Sequence, residues 1–169
     1  MKDPIIVAGN AACLFEDLAK AKAQYGDIPV IAVNGAAKEI PAPYLFSQHP
    51  THFISHGWIR KQKLVNTYFE VYSNGEPEDL PYIDHWVDIP RGGGSAWGAR
   101  KLATLLDFDF VILCGCPLEP GPYVGNHNLG GYMHMENVVK DLQDAIAADT
   151  EWHQNCISMS GWTKELLGC

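Results

Sequence analysis

Apolar and polar positions alternate between two regimes along the chain, short continuous apolar runs and longer stretches with helical spacing. Ile5 to Ala8 is an unbroken apolar run that ends in a Gly-Asn turn. Leu14, Leu18, Ala21 and Tyr25 then recur at helical spacing, and Gly26 ends that helix. A second apolar run, 28–33, does not alternate with polar residues and reads as a strand buried on both faces. Residues 44–47 form a third strand, 51–64 a helix and 67–72 a further strand. The acidic, turn-rich segment 73–82 is a surface loop, and 85–89 is a short strand. Ala99, Leu102, Ala103 and Leu106 make one helical stripe, followed by the apolar strand 110–115. Residues 116–134 are rich in glycine and proline and lack periodicity, and a loop of that length inside a domain is commonly a functional one. Val138, Val139, Leu142, Ala145 and Ile146 mark another helix. A last strand at 156–160 and a terminal helix over 162–168 complete the pattern.

Strand and helix alternating in this way predict an α/β fold, with a mostly parallel sheet and helices on both faces. With 169 residues and neither repeat nor linker, the chain is expected to form a single Rossmann-like domain. Such sheets bind ligands beyond the carboxyl ends of their strands. Here those ends read GNAA, NGAA, QHP, GGGS and CGCP, all small, polar or glycine-rich. The pattern predicts one open edge with a shared pocket.

Composition narrows what that pocket can serve. The formal charge of −8 argues against nucleic acid or anionic lipid as a partner, because both favour basic surfaces. No apolar run reaches membrane-spanning length, and the N-terminus enters a strand without a signal-peptide core. Five scattered cysteines, odd in number, read as free thiols in a reducing compartment, so a cytoplasmic protein is expected.

The glycine-rich turn Gly92, Gly93, Gly94 before Ser95 can present backbone N–H groups and a hydroxyl at a helix start, where the dipole favours an anion. Arg91 could add charge, and the alternative is a plain turn with Ser95 as N-cap. The stretch matches neither the Walker A motif nor the dinucleotide fingerprint. Asn10 and Asn34 each follow a buried strand and can bind a base edge, a ribose hydroxyl or a phosphate, or cap the next helix. His49, His52 and His56 are spaced by three and four, but the stretch has no HExxH and no accompanying carboxylate. They are therefore read as surface or capping histidines, and no metal site is assigned. His134 ends the long loop, where an imidazole could act as a general base. Tyr123 and Tyr132 in the same loop could reach a phosphate or sugar.

The order of these motifs resembles that of the bacterial sialyltransferases and of the related 6-hydroxymethylpterin pyrophosphokinase-like family. "IIVAGNAACLFEDL" resembles their first strand and turn, "VIAVNGAA" the second strand with its asparagine, and "FSQHP" a strand ending in Asn-Pro. "GGGSAWGARKLATLLDFDFVILCG" resembles their Ser-Gly helix and following strand, and "YMHMENVVKDL" the segment with a loop histidine before a helix. The resemblance implies a pocket for a nucleotide or a CMP-type nucleotide-sugar, built from Gly9, Asn10, Asn34, His49, Gly93, Gly94, Ser95, Gly115 and Tyr123. It also implies that His134 takes the acceptor proton while Ser95 helps hold the leaving phosphate. The chain departs from the family at "GNAAC", at Ala96 and at "GCP", where Gly-Ile-Asp would place a carboxylate. Three functions follow as expectations. The first is a glycosyltransferase-like group transferase. The second is a non-catalytic accessory or nucleotide-sequestering protein, similar to compact bacteriophage-encoded ones; a homo-oligomer is compatible with any of the three. The third is a Mg²⁺-dependent pyrophosphokinase.

Overall fold

The chain was analysed as a computed structural model, which describes residues 3–124 and 136–169. Seven strands form one sheet in the order β5-β4-β3-β2-β1-β6-β7, and every pairing is parallel. They are β1 (Pro4–Ala8), β2 (Val30–Val33), β3 (Tyr44–Ser47), β4 (Glu70–Asn74), β5 (His85–Val87), β6 (Phe110–Cys114) and β7 (Cys156–Ser158). The helices are α1 (Leu14–Tyr25), α2 (His52–Ser55), α3 (Trp58–Val65), α4 (Gly94–Leu105), α5 (Glu136–Ala148) and α6 (Gly161–Leu167). The arrangement is α/β and Rossmann-like.

The continuous apolar strands exist because both faces of the sheet are covered. In β1, Ile6 and Ala8 enter a core layer with Leu14 and Ala21 of α1, Phe53 of α2 and Ile59 of α3. Ile5 and Val7, facing the other way, join Trp97, Leu102 and Ala103 of α4, Ile146 of α5 and, at its margin, Trp162 of α6. Burying each Ile, Val, Leu or Phe side chain of these layers contributes about 1.5–3 kcal/mol, so the period of two within these strands fixes both layers at once.

The order of winding places the site. From β1 to β4 the chain crosses over on the α1–α3 face and adds strands outward on one side. After β5 it crosses back through α4 on the opposite face and inserts β6 on the free side of β1. The connections that leave β1 and β6 therefore diverge to opposite faces, which opens a crevice beyond their carboxyl ends.

Most elements match the sequence expectation to within a few residues, and three of the differences have a visible cause. The helix expected over 51–64 is two helices, interrupted at the left-handed Gly57 (φ 68°). The strand expected at 67–72 begins only at Glu70. Asn66 ends α3 in an extended conformation, and its amide bonds the Ala42 carbonyl at 2.9 Å. Ser73 and Asn74, assigned to a loop, belong to β4, where the Ser73 hydroxyl donates to the Ser47 carbonyl at 2.8 Å.

Candidate functional site

The floor of the crevice is backbone. The Gly9 N–H donates to the Cys114 carbonyl at 2.8 Å, and the Ala11 N–H to the Gly115 carbonyl at 3.1 Å. A Cβ on Gly9 would stand 2.5 Å from the Gly115 oxygen, and one on Gly115 would stand 2.5 Å from the Gly9 oxygen. Only two glycines let the ends of β1 and β6 approach this closely. The Gly115 turn is also held from below. Its N–H donates to Oδ2 of the fully buried Asp17 at 2.9 Å, and the Ser160 hydroxyl donates to the same oxygen at 2.6 Å.

One wall is polar and rises from β1, β2 and β3. Asn34, in the left-handed region at φ 52°, accepts a hydrogen bond from the Ser47 hydroxyl at 2.7 Å. The His49 N–H donates to that Ser47 oxygen at 3.0 Å, and the Gln48 N–H reaches Ser95 Oγ at 3.4 Å. The Asn10 amide lies against Gly35, where a Cβ would meet its nitrogen at 2.5 Å, and Asn10 Oδ1 has no partner among the described residues.

The N-terminus of α4 faces the same space. Gly92, Gly93 and Gly94 all have positive φ (128°, 70° and 77°), so the turn needs residues without a Cβ. Gly93, not Ser95, is the N-cap, and it supplies no side-chain bond. Ser95 sits one residue inside the helix and is buried. The alternative in which Ser95 is the N-cap is thus corrected: the left-handed turn has already placed the cap two residues earlier, at Gly93.

Aromatic rings close the remaining side. The His49 and His52 ring centroids are 5.1 Å apart, and those of His52 and His56 are 4.6 Å apart. His56 stacks on Trp58 at 5.6 Å with an interplanar angle of 27°. Burial lowers the pKa of His52, and the neighbouring His56 and His49 lower it further, so this ring is neutral near pH 7.

Together these walls enclose a cavity of about 580 Å³, the size range of small-molecule and cofactor sites. Gly9, Asn10, Asn34, His49, Gly93, Gly94, Ser95, Gly115 and Tyr123 all line it. Tyr123 arrives there because residues 122–124 are stitched to β1's exit turn: the Ala12 N–H donates to Pro122, and the Val124 N–H to Asn10. His134 and Tyr132 lie outside the described residues. Arg91 does not join the cavity. It lines a separate depression with Asn74 and Trp86, because the turn from Gly92 onward carries the chain away from it.

Sequence reasoning missed Lys38, Trp58, Cys116 and Thr163, which also line the cavity. Lys38 belongs to a 3-10 turn over Asn34–Lys38 that carries no periodic signal of its own. Burial pushes the Cys116 thiol well above its ordinary pKa, which keeps it protonated and poorly nucleophilic. The described lining holds one lysine and three histidines and no aspartate or glutamate, in a chain with a net charge of −8. Magnesium is ordinarily held through carboxylates, so the described lining does not fit Mg²⁺. Among the described residues no group of three or more His, Cys, Asp or Glu side chains is arranged to hold a metal. No helix is long and apolar enough to cross a membrane among the described residues.

No protein-family model matches the chain.

Proposed function

We propose that the protein binds a nucleotide or nucleotide-sugar in this cavity and transfers a group from it. The observation that carries the reading is the exclusion of carboxylates from the described lining of a cavity in an acidic protein. That space also faces the N-terminus of the twelve-residue α4. An anion there meets backbone N–H groups, the positive end of a helix dipole and the Ser95 hydroxyl. The polar wall supplies what the rest of a nucleotide needs. Asn10 and Asn34 line that wall with amides, groups suited to a ribose hydroxyl or a base edge.

In this reading a leaving phosphate gains charge as the transferred group departs. Ser95 and the glycine-turn N–H groups stabilise that charge by hydrogen bonds fixed before reaction. The resemblance assigns removal of the acceptor proton to His134. The Mg²⁺-dependent pyrophosphokinase reading is the least supported, because the described lining offers no carboxylate.

Thermal unfolding with CMP, UMP, ADP and their sugar conjugates tests the binding. At a hundredfold excess over Kd the cognate nucleotide should raise Tm by about 5–10 °C. No shift with any nucleotide at millimolar concentration would rule the reading out. Ser95→Ala should weaken binding by about tenfold, and should lower Tm without ligand by a few degrees at most, through the Gln48 N–H it leaves without its partner. Transfer activity that survives His134→Ala would remove the proposed base. Binding without turnover of any conjugate would favour the accessory, nucleotide-sequestering role.

A further inference from the structure

The histidine and tryptophan wall is more than the nucleotide reading uses. His52 and His56 belong to the α2–α3 corner, line the cavity, and stand in ring contact with each other and with Trp58. Among the described residues neither they nor His49 forms an ion pair with a carboxylate. The other titratable groups on the described lining are Lys38 from the 3-10 turn after β2, Cys116 after β6 and Tyr123. α4 contributes none, and Glu39, next to Lys38, lies outside the lining. The wall also continues directly from the glycine turn. Ser95 Oγ meets the Gln48 N–H at 3.4 Å, the next residue is His49, and its ring is 5.1 Å from His52.

We infer that His52 and His56, backed by Trp58 and extended by Lys38, form a second anion subsite adjoining the Ser95 turn, so that the ligand carries two neighbouring phosphoryl groups. The ligand class is then a nucleoside diphosphate ester rather than a monophosphate. This rests on the nucleotide reading above and narrows it. The chemistry favours it in two ways. A neutral imidazole donates one N–H and a protonated one donates two, with charge, and an anion beside it raises its pKa. Binding therefore takes up a proton, and the preference for the second phosphoryl group strengthens as the pH falls through the imidazole range. A carboxylate-lined wall would do the opposite.

The test uses the full chain and isothermal titration calorimetry at pH 8 and pH 5.5. The probes are UDP-glucose, ADP-ribose and GDP-mannose, each against the methyl ester of its own nucleoside monophosphate, which likewise has no second phosphate ionisation. The phosphodiester groups of these probes do not titrate between the two pH values, so a change in their affinity reports on the protein. The preferred diphosphate ester should gain about tenfold over its monophosphate methyl ester at pH 5.5, the effect of one charged hydrogen bond, and much less at pH 8. Its binding enthalpy should vary with the ionisation enthalpy of the buffer, as proton uptake requires. The His52→Gln, His56→Gln double variant should lose this pH-dependent preference. Monophosphate methyl esters that bind as tightly as the diphosphate esters at pH 5.5 would overturn the second subsite and leave the nucleotide pocket standing. So would a preference that persists in the double variant. Binding of no probe at either pH would overturn both. The wild-type pH comparison decides the matter even if the variant does not fold.

Discussion

Gly9 and Gly115 show how much a single missing Cβ contributes at this site. Each faces the other's carbonyl oxygen at a distance no side chain could occupy, and Gly9 also faces Cys116 Sγ at 2.7 Å from its would-be Cβ. Gly9→Ala should therefore cost about 1–3 kcal/mol in urea unfolding, the usual penalty for overpacking, and weaken nucleotide binding through movement of the floor. Asp17 acts through the same turn. Its carboxylate accepts from the Gly115 N–H and the Ser160 hydroxyl in a fully buried position. Asp17→Ala strands both donors and should destabilise the fold by about 2–4 kcal/mol. From the sequence Asp17 is merely an acidic residue in the first turn of a helix. Nothing local marks it as the support of a strand end 98 residues away.

At the scale of an element, α4 carries two cations that its sequence would place in solvent. Arg100 donates to the carbonyls of Trp152 and Gln154, while Lys101, only 2% exposed, pairs with Asp149 at 2.5 Å and reaches the Pro90 carbonyl at 3.2 Å. Trp97 Nε1 also donates to Asp149, at 2.8 Å. These contacts anchor the middle of the helix, from Trp97 to Lys101, to the segments before and after it. Asp149→Ala leaves a buried ammonium without its counter-charge and should cost about 3–5 kcal/mol, whereas pairing it with Lys101→Met should recover much of that loss. Burial alone would raise the Asp149 pKa, but the hydrogen bonds from Lys101 and Trp97 outweigh it and hold the group below its ordinary value. A depressed carboxylate stabilises the fold above its unfolded pKa. Chemical denaturation should accordingly show this contribution lost as the pH falls below the carboxylate range, and no such loss in the double variant.

Over the whole molecule, the sheet gathers loops that are far apart in sequence into one acid-sensitive pocket. The folded-state pKa of His52 lies below its usual value because of burial and the two neighbouring imidazoles. The unfolded chain therefore binds more protons than the folded one as the pH drops past the imidazole range. Stability without ligand should decline over that interval, and His52→Gln should flatten the decline in a Tm-against-pH series. A bound diphosphate ester should offset it, since the ligand favours the protonated imidazoles.

The strand and helix pattern, and with it the parallel sheet, was legible because strands buried on both faces read as short continuous apolar runs, whereas helices buried on one face carry a 3.6-residue period. The open strand ends were legible for a related reason: tight turns and close backbone approaches require glycine and asparagine, which are visible in one dimension. The break at Gly57 and the start of β4 at Glu70 were not, because the same residues suit either a longer helix or a longer strand until Asn66 finds the Ala42 carbonyl. The two loops on either side of the sheet's turning point become neighbours only when β6 inserts beside β1, a pairing of Pro4–Ala8 with Phe110–Cys114 across more than a hundred residues. The sequence by itself thus determined the fold class and part of the set of residues that line the cavity. Only the tertiary structure decided that those residues share one cavity, that Lys38, Trp58, Cys116 and Thr163 join them, that Arg91 is excluded, and that His52 and His56 complete the wall begun by His49. Local pattern reports which face of an element is buried, and the winding order of the sheet reports what that face meets.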